Sequence, residues 1–472
     1  MRRVLPLLVL LATPLAAQPP ATPALTAHQQ LARAVYKELV EINTVDSVGS
    51  TTRAAQAMAA RFRAAGFPAA DVQVLVPPGK PTKGNLVVRY RGRGQGKPIL
   101  LLAHIDVVAA NRSDWPRDPF VLHEENGYFL GRGTADDKAM AAMFVANLLK
   151  WKREGWTPDR DLVLALTADE EGGDANGVEW LLAKHRPLID AAYAINEGGG
   201  GALDGPGPDA RPLRHSVQAA EKVPEDYTLT ARNPGGHSSV PRPDNAIYQL
   251  TDAIGRIARH RFPVALNPVS RAFFEQQARV EKPEMAAAMR AVVADPTDTA
   301  AAAIVARDPA YNSMLRTTCV ATMLQAGHAR NALPQKATAN VNCRILPQDS
   351  VQDVQRTLVR VFADDGIKVT LRSQAGAPPA PVSTLNPIVI KPIEELTGKM
   401  WKGVTVIPIM GTGATDSAYL RAKGIPMYGV SGLFGDIADV RAHGRDERVG
   451  VAQFYDSQDF LYRLVKRYAT GK

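Results

Sequence analysis

The chain is poor in cysteine: two residues in 472, Cys319 and Cys343, leave at most one intramolecular disulfide. They lie almost symmetrically about Asn331-Ala-Leu-Pro334, as if on facing strands of a hairpin. In an exported protein they either pair or remain two buried thiols. Blocks of like charge are missing as well. The net charge of +9 is spread along the chain, and no basic stretch is interleaved with aromatics, which argues against a nucleic-acid partner. The N-terminal apolar run, Val4 to Leu15, is too short to span a bilayer, and no Cys follows it to accept a lipid.

What is present at the N-terminus reads as a secretory signal over residues 1–17. Arg2-Arg3 is its charged region, Val4 to Leu15 its apolar region, and Ala16-Ala17-Gln18 a cleavage point. The expectation is an exported protein, periplasmic or secreted, with no stable membrane insertion once the signal is removed. A composition of 45% hydrophobic and 22% charged residues is that of a soluble globular chain. At 472 residues it is too long for one ordinary core, so two domains are expected.

Apolar periodicity supplies the elements. Leu31, Val35 and Leu39 are spaced as a helix over 26–41 with Thr26 as its cap, and a second helix over 52–65 is stopped by Gly66. Pro98 to Ala103 is apolar on both alternating faces, the pattern of a central strand covered by helices on both sides. It runs into His104-Ile-Asp106. Two similar runs follow: Leu162 to Thr167 leads to Asp169-Glu-Glu171-Gly-Gly173, and Ala191 to Ile195 leads to Asn196-Glu197-Gly198. Between the first run, ending at Ala103, and the second, starting at Leu162, Gly131-Arg-Gly-Thr-Ala-Asp136-Asp137-Lys138 opens a helix through Met140, Phe144 and Leu148. Strands alternating with helices imply an α/β sheet, whose ligands bind at the carboxyl ends of strands.

The character changes near Glu225, where alternating strands and an amphipathic helix over 244–262 imply a smaller α+β unit inserted in the α/β domain. The divisions expected are a catalytic part over 26–224, an inserted unit over 225–347, and a second catalytic part over 348–472. Residues 263–315 read as a mainly helical insertion without a legible role.

Two adjacent carboxylates after a glycine turn are costly to bury unless a cation neutralises them. Asp136 therefore heads a set of candidate metal ligands, joined by His104, Glu171, Glu197 and His443. Imidazole with carboxylate suits zinc, with manganese or cobalt as alternatives. Five ligands exceed the need of one catalytic zinc but suffice for two ions if one carboxylate bridges. Asp137 is better explained as a charge favoured by the helix N-terminus. Asp106, two residues after His104, is placed to fix the imidazole's tautomer, and Glu170 is free to move protons as general base and acid.

The ordered set of His104-x-Asp106, the Gly131 to Lys138 loop, Asp169-Glu-Glu171-Gly-Gly, Asn196-Glu197-Gly, Gly235-Gly-His237-Ser, Asn331-x-x-Pro334 and Ala442-His443-Gly resembles the co-catalytic zinc exopeptidases and deacylases. That family includes carboxypeptidase S, aminoacylase, acetylornithine deacetylase and succinyl-diaminopimelate desuccinylase, and the resemblance runs from about residue 26 to 470. It implies a mixed sheet covered by helices plus a lid or dimerisation domain. It also implies that Asp136 bridges two metals, with His104 and Glu197 on one ion and Glu171 and His443 on the other.

By the same resemblance His237, in the lid, can reach a partner subunit's site to stabilise the oxyanion, while Asn331 and Arg344 help bind substrate. Arg344 suits a bidentate contact to a substrate carboxylate, to which the Gly411-Thr412-Gly413 loop can also offer backbone N–H groups. Ala139 departs from the glycine usual after the Asp-Asp-Lys triplet, and a methyl there implies altered packing at most. Glu197 rather than aspartate resembles the peptidase and aminoacylase branches.

The function expected is hydrolysis of an amide bond beside a free carboxylate, in a dipeptide, a peptide C-terminus or an N-acyl amino acid. A small-molecule deacylase of the acetylornithine type is the alternative enzyme, and a metal-free binding protein on the same fold the alternative of another class.

Overall fold

The computed structural model describes residues 24–207, 210–372 and 377–470; the signal read over 1–17 lies outside them. A ten-stranded mixed sheet forms the centre. Its order is Val72–Leu75, Asn85–Tyr90, Leu162–Thr167, Ile99–His104, Tyr193–Asn196, Met427–Gly429, Pro212–Glu221, Gly200–Leu203 and Phe434–Gly435, with Thr405–Gly411 pairing off the path beside Pro212–Glu221. The middle four run parallel. All six residues of Ile99–His104 and of Leu162–Thr167 are buried, as their unbroken apolar runs predict.

Alternation sorts these side chains into two layers. Ile99, Leu101, Leu162, Leu164 and Leu166 face one core with helices Ala27–Glu41, Thr51–Ala64, Lys138–Arg153 and Val451–Thr470. Leu100, Leu102, Val163 and Ala165 face the other, with Gly177–Lys184 and Ser417–Ala422. The helix starts follow cap chemistry: Thr26 and Gln29 make a capping box, and the Ser350 hydroxyl accepts from Asp353 N.

A second sheet, Thr318–Ala326, Lys336–Ile345, Val223–Arg232 and Ile367–Leu371, is covered by helices Ala246–Arg259 and Val351–Phe362 around its own core. This unit takes in residues 351–371, beyond the boundary expected at 347. The helices Pro268–Gln277, Pro283–Ala294, Thr299–Val305 and Pro309–Leu315 pack on the large core instead, through Val269, Phe274, Met289 and Leu315. The insertion over 263–315 is thus cladding for the large sheet. Lys222 alone separates Pro212–Glu221 from Val223–Arg232, so one nearly continuous ribbon passes from sheet to sheet.

Pro212–Glu221 was not legible as a strand, because Arg214, His215, Ser216 and Gln218 break its apolar pattern. They are tolerated through polar partners: the His215 ring nitrogen pairs with the Thr397 hydroxyl at 2.8 Å, and Gln218 donates to Glu221 at 2.7 Å.

Cys319 and Cys343 stand opposite each other in the ladder and are bonded, closing a separation of 24 residues. In the chain-entropy account a loop of this size contributes about 3 kcal/mol. Replacing both by serine is expected to lower the thermal midpoint in calorimetry; an unchanged midpoint would show that the ladder alone holds the strand.

Candidate metal centre

The site forms where the parallel strands end. Ile99–His104 delivers His104, Leu162–Thr167 leads to Glu170 and Glu171, and Tyr193–Asn196 leads to Glu197. The Gly131 to Asp137 loop adds Asp136, and the loop before Arg448–Gly450 adds His443. Residues far apart in sequence meet because parallel strands point all their carboxyl ends the same way.

Asp136 stands between two imidazoles, one oxygen toward each. His104 Nε2 lies 2.8 Å from Asp136 Oδ1 and 3.9 Å from Glu197 Oε1. His443 Nε2 lies 3.1 Å from Asp136 Oδ2 and 2.9 Å from Glu171 Oε1. Potential ligand atoms of His104, Asp136 and Glu171 fall within 4.8 Å of one another, and so do those of His104, Glu170 and Glu197. His104 is buried while His443 is open to solvent. His443 and Asp169 have φ of 64° and 57°, left-handed backbone that His and Asp adopt more readily than most residues, and both flank the site.

The electrostatics call for a cation. Burial, then the neighbouring carboxylates, raises Glu170 and Glu197 well above the carboxylate range. Glu171 is pushed up to about 7 by the same causes. Asp137 is likewise raised by burial, and its Oδ2 is buried without a hydrogen-bond partner among the described residues. Only Asp136 is held low, by hydrogen bonds to the two imidazoles that outweigh its burial. His443 is raised to about 9, chiefly by its hydrogen bond to Asp136. A crowd of carboxylates with two imidazoles, one carboxyl oxygen left unpartnered, fits divalent cations.

Supporting contacts set the ligand directions. His104 Nδ1 sits 3.1 Å from the backbone oxygen of Asp106 and 3.5 Å from its carboxylate. The carbonyl is therefore the closer partner, and the Asp106 carboxylate mainly accepts from the amides of Glu170 (3.2 Å) and Glu171 (3.0 Å). Asp416 accepts from Asn176 at 2.7 Å and the Thr167 hydroxyl at 3.2 Å, and burial raises it to about 6. Lys83 donates to Asp169 at 2.6 Å and also pairs with Asp46.

Sequence reasoning missed one pair that joins two site loops. Buried Glu447 accepts from Arg132 at 2.6 Å and from the amides of Gly133 (3.1 Å), Ala135 (2.7 Å) and Asp136 (3.1 Å). Arg132 also donates to His443 O at 3.1 Å. The loop carrying Asp136 and the loop carrying His443 are thereby locked together. Gly133 is required here: its φ is +80°, and a Cβ would meet Val107 at 2.7 Å. The only signal in the sequence was a charged residue in each of two glycine-rich loops, which does not say that they pair.

The remaining predicted residues lie elsewhere. His237 pairs with Ala332 in a two-stranded ladder, its ring accepts from the Ser239 hydroxyl at 2.7 Å, and Asn331 O accepts from Ser238 N at 2.9 Å. Arg344 lies on Lys336–Ile345 between Thr318 and Pro224. None of the three makes a hydrogen bond or ion pair to the candidate metal cluster among the described residues. Gly411 ends Thr405–Gly411 and its carbonyl accepts from Lys222 N at 2.9 Å, while Thr412 and Gly413 are exposed.

Glu447→Ala is expected to leave the buried guanidinium of Arg132 unmatched, at a cost of about 3–5 kcal/mol. The thermal midpoint should fall, and metal content by elemental analysis should fall with it. Full metal content in a folded variant would show that the pair does not position the ligands.

Known proteins place this arrangement. A probable carboxypeptidase S-like protein of Dictyostelium discoideum is 28% identical over 388 residues, covering 81% of this chain and 74% of its own. The human N-fatty-acyl-amino acid synthase/hydrolase is 27% identical, covering 80% and 75%. In fold, the M20 family metallo-carboxypeptidase of Sulfolobus solfataricus superposes with a TM-score of 0.70 at 17% identity, over 93% of this chain and 99% of that one. Residues 100–467 match Peptidase family M20/M25/M40, so the chain, with its strand-end cluster of histidines and carboxylates, belongs to that family and is an enzyme of its metallopeptidase and amidohydrolase kind.

Proposed function

We propose that the protein is an exported two-metal hydrolase of an amide bond beside a free carboxylate, in a dipeptide, a peptide C-terminus or an N-acyl amino acid. The observation that carries this reading is the placing of Asp136 between His104 and His443, with Glu170 alongside. One divalent ion would be held by His104, Glu197 and one oxygen of Asp136, the other by Glu171, His443 and the second oxygen. Zinc suits this donor set, with manganese or cobalt as alternatives. When bound, the ions supply positive charge that lowers the pKa of the attacking water and stabilises the developing oxyanion.

Glu170 takes one proton from that water and gives it to the leaving nitrogen as the C–N bond breaks. Its carboxyl lies within 4.8 Å of the donor atoms of His104 and Glu197, close enough to reach a water held there. Asp106, by accepting the amides of Glu170 and Glu171, keeps that loop in place. Arg344, Asn331 and the amides of Gly411–Gly413 are assigned to the substrate carboxylate. The names of the relatives, a carboxypeptidase and an N-acyl-amino acid hydrolase, support the substrate class.

The second sheet supports a homodimer. Thr318–Ala326 is its edge strand, with Val320, Met323 and Leu324 exposed and its outer side open among the described residues, a surface suited to a second copy. In that arrangement His237, whose own contacts are local, reaches the partner's oxyanion. The bonded cysteines support export to an oxidising compartment.

Glu170→Gln is expected to lower kcat by about 10²–10⁴-fold with metal content unchanged. Chelation should abolish activity, and zinc, manganese or cobalt should restore it. Full turnover in the variant, or in the metal-free protein, would overturn the mechanism. Separately, Val320→Lys with Met323→Lys should convert a dimer to a monomer in light scattering; a wild-type monomer would remove His237 from its role.

A further inference from the structure

Three buried polar atoms without a hydrogen-bond partner among the described residues belong to the lining of one cavity: Arg316 Nε, His260 Nε2 and the Asn312 amide oxygen. The cavity, about 460 Å³, is within the size range of ligand sites, and none of the candidate metal ligands lines it. It forms where three segments meet. These are the end of Ala246–Arg259 with the loop after it, the end of Pro309–Leu315 with Arg316, and the start of Thr318–Ala326. The first and third belong to the unit of the second sheet, while Pro309–Leu315 is cladding of the large one. Lys222 braces the same junction, donating to Arg316 O at 2.8 Å and to the Thr318 hydroxyl at 3.0 Å.

The lining holds bases and no acid: Arg261, Arg316 and His260 stand there without an Asp or Glu. Arg316 is 8% exposed, and its Nη1 donates to a backbone oxygen, Phe262 O, at 3.0 Å. Arg261 Nη1 likewise reaches backbone oxygens, those of Ala258 and His260, at 3.3 Å each. Neither guanidinium makes an ion pair to a carboxylate among the described residues. Burial, then the like charge of Arg261, lowers the pKa of Arg316; burial, then Arg360 and Arg261, lowers that of His260. A buried guanidinium facing a like charge is costly until an anion matches it, and its planar fork suits the two oxygens of a carboxylate or phosphate. The rest of the wall is largely apolar, with Ile254, Ile257, Phe262 and Val320.

We propose that this cavity is a second ligand site, separate from the metal centre, and that it takes a small organic oxyanion. The carboxylate or phosphate head lies against Arg316 and Arg261, and a short apolar body lies against Ile254, Ile257 and Phe262. Bound there, the anion bridges the unit of the second sheet and the cladding of the large one. A bare inorganic anion would match the arginines but leave the apolar wall uncovered.

The test is titration calorimetry on the metal-loaded protein at fixed ionic strength, with acetate, hexanoate, inorganic phosphate and hexyl phosphate as probes. Each methylene covered is worth up to about fourfold. We expect one hexyl ligand per chain, bound at least about tenfold more tightly than the short anion with the same head. The hexyl probe that binds more tightly identifies the head group. Arg316→Met should raise its Kd at least about tenfold. Arg261→Gln, at an exposed position, should raise it about threefold and serves as the test if the buried variant does not fold. Absence of saturable binding, as when the edge of a second copy fills the cavity, overturns the proposal. Binding that both variants leave unchanged puts the anion elsewhere, such as the metal centre, and overturns it too. Equal affinity for short and hexyl anions overturns the assignment of the apolar wall.

Discussion

The constraint on which the structure turns is repulsion among carboxylates at one end of the large sheet. Asp106, Asp136, Asp137, Glu170, Glu171, Glu197 and Asp416 share a small, partly buried volume in which His104, His443 and the buried Lys138 are cationic neighbours. Without added positive charge, protons must remain on several of these carboxyls, which is the meaning of their raised pKa values. A divalent cation relieves the same repulsion while leaving the oxygens as ligands. The site is therefore stable in the absence of metal only at the expense of charge, and the surrounding fold has to hold it together meanwhile.

That restraint comes from the scaffold and from a few buried ion pairs. Strands buried on both faces give the strand ends that carry the candidate ligands little freedom. Glu447 and Arg132 tie the Asp136 loop to the His443 loop, although 315 residues separate them. A second buried pair, Glu221 with Arg421 at 2.6 Å, anchors the end of Pro212–Glu221 to the helix after Asp416. Next to it, Lys222 links the two sheets. Its ammonium donates to Ser313 O, Arg316 O and the Thr318 hydroxyl, three acceptors for three N–H bonds, while burial pulls its pKa down to about 7. The passage between the sheets is thus braced by the last turn of the helical cladding.

Much of this order was legible in the residues. The apolar runs ending in His104, in Glu170-Glu171 and in Glu197 identified the parallel strands and put ligand-type side chains at their carboxyl ends. Leu162–Thr167 has the bounds that its apolar run implies. Pattern failed where polar side chains are buried with partners, as in Pro212–Glu221. It also failed for 268–315, whose helices were evident but whose faces gave no hint of which sheet they cover. Asp106 shows a finer limit: its proximity to His104 was evident, but not that its carbonyl lies nearer the ring while its carboxylate takes two amides.

By itself the sequence determined the residue chemistry and the local elements: which strands are central, where helices start, and which carboxylates and imidazoles stand at strand ends. Those follow from apolar periodicity and cap chemistry, which act over a few residues. Only the tertiary structure decided which charges meet. The placing of Asp136 between His104 and His443 and the Glu447–Arg132 lock depend on contacts between segments that lie from 32 to 315 residues apart. Sheet closure sets those contacts, and a one-dimensional pattern carries no record of it.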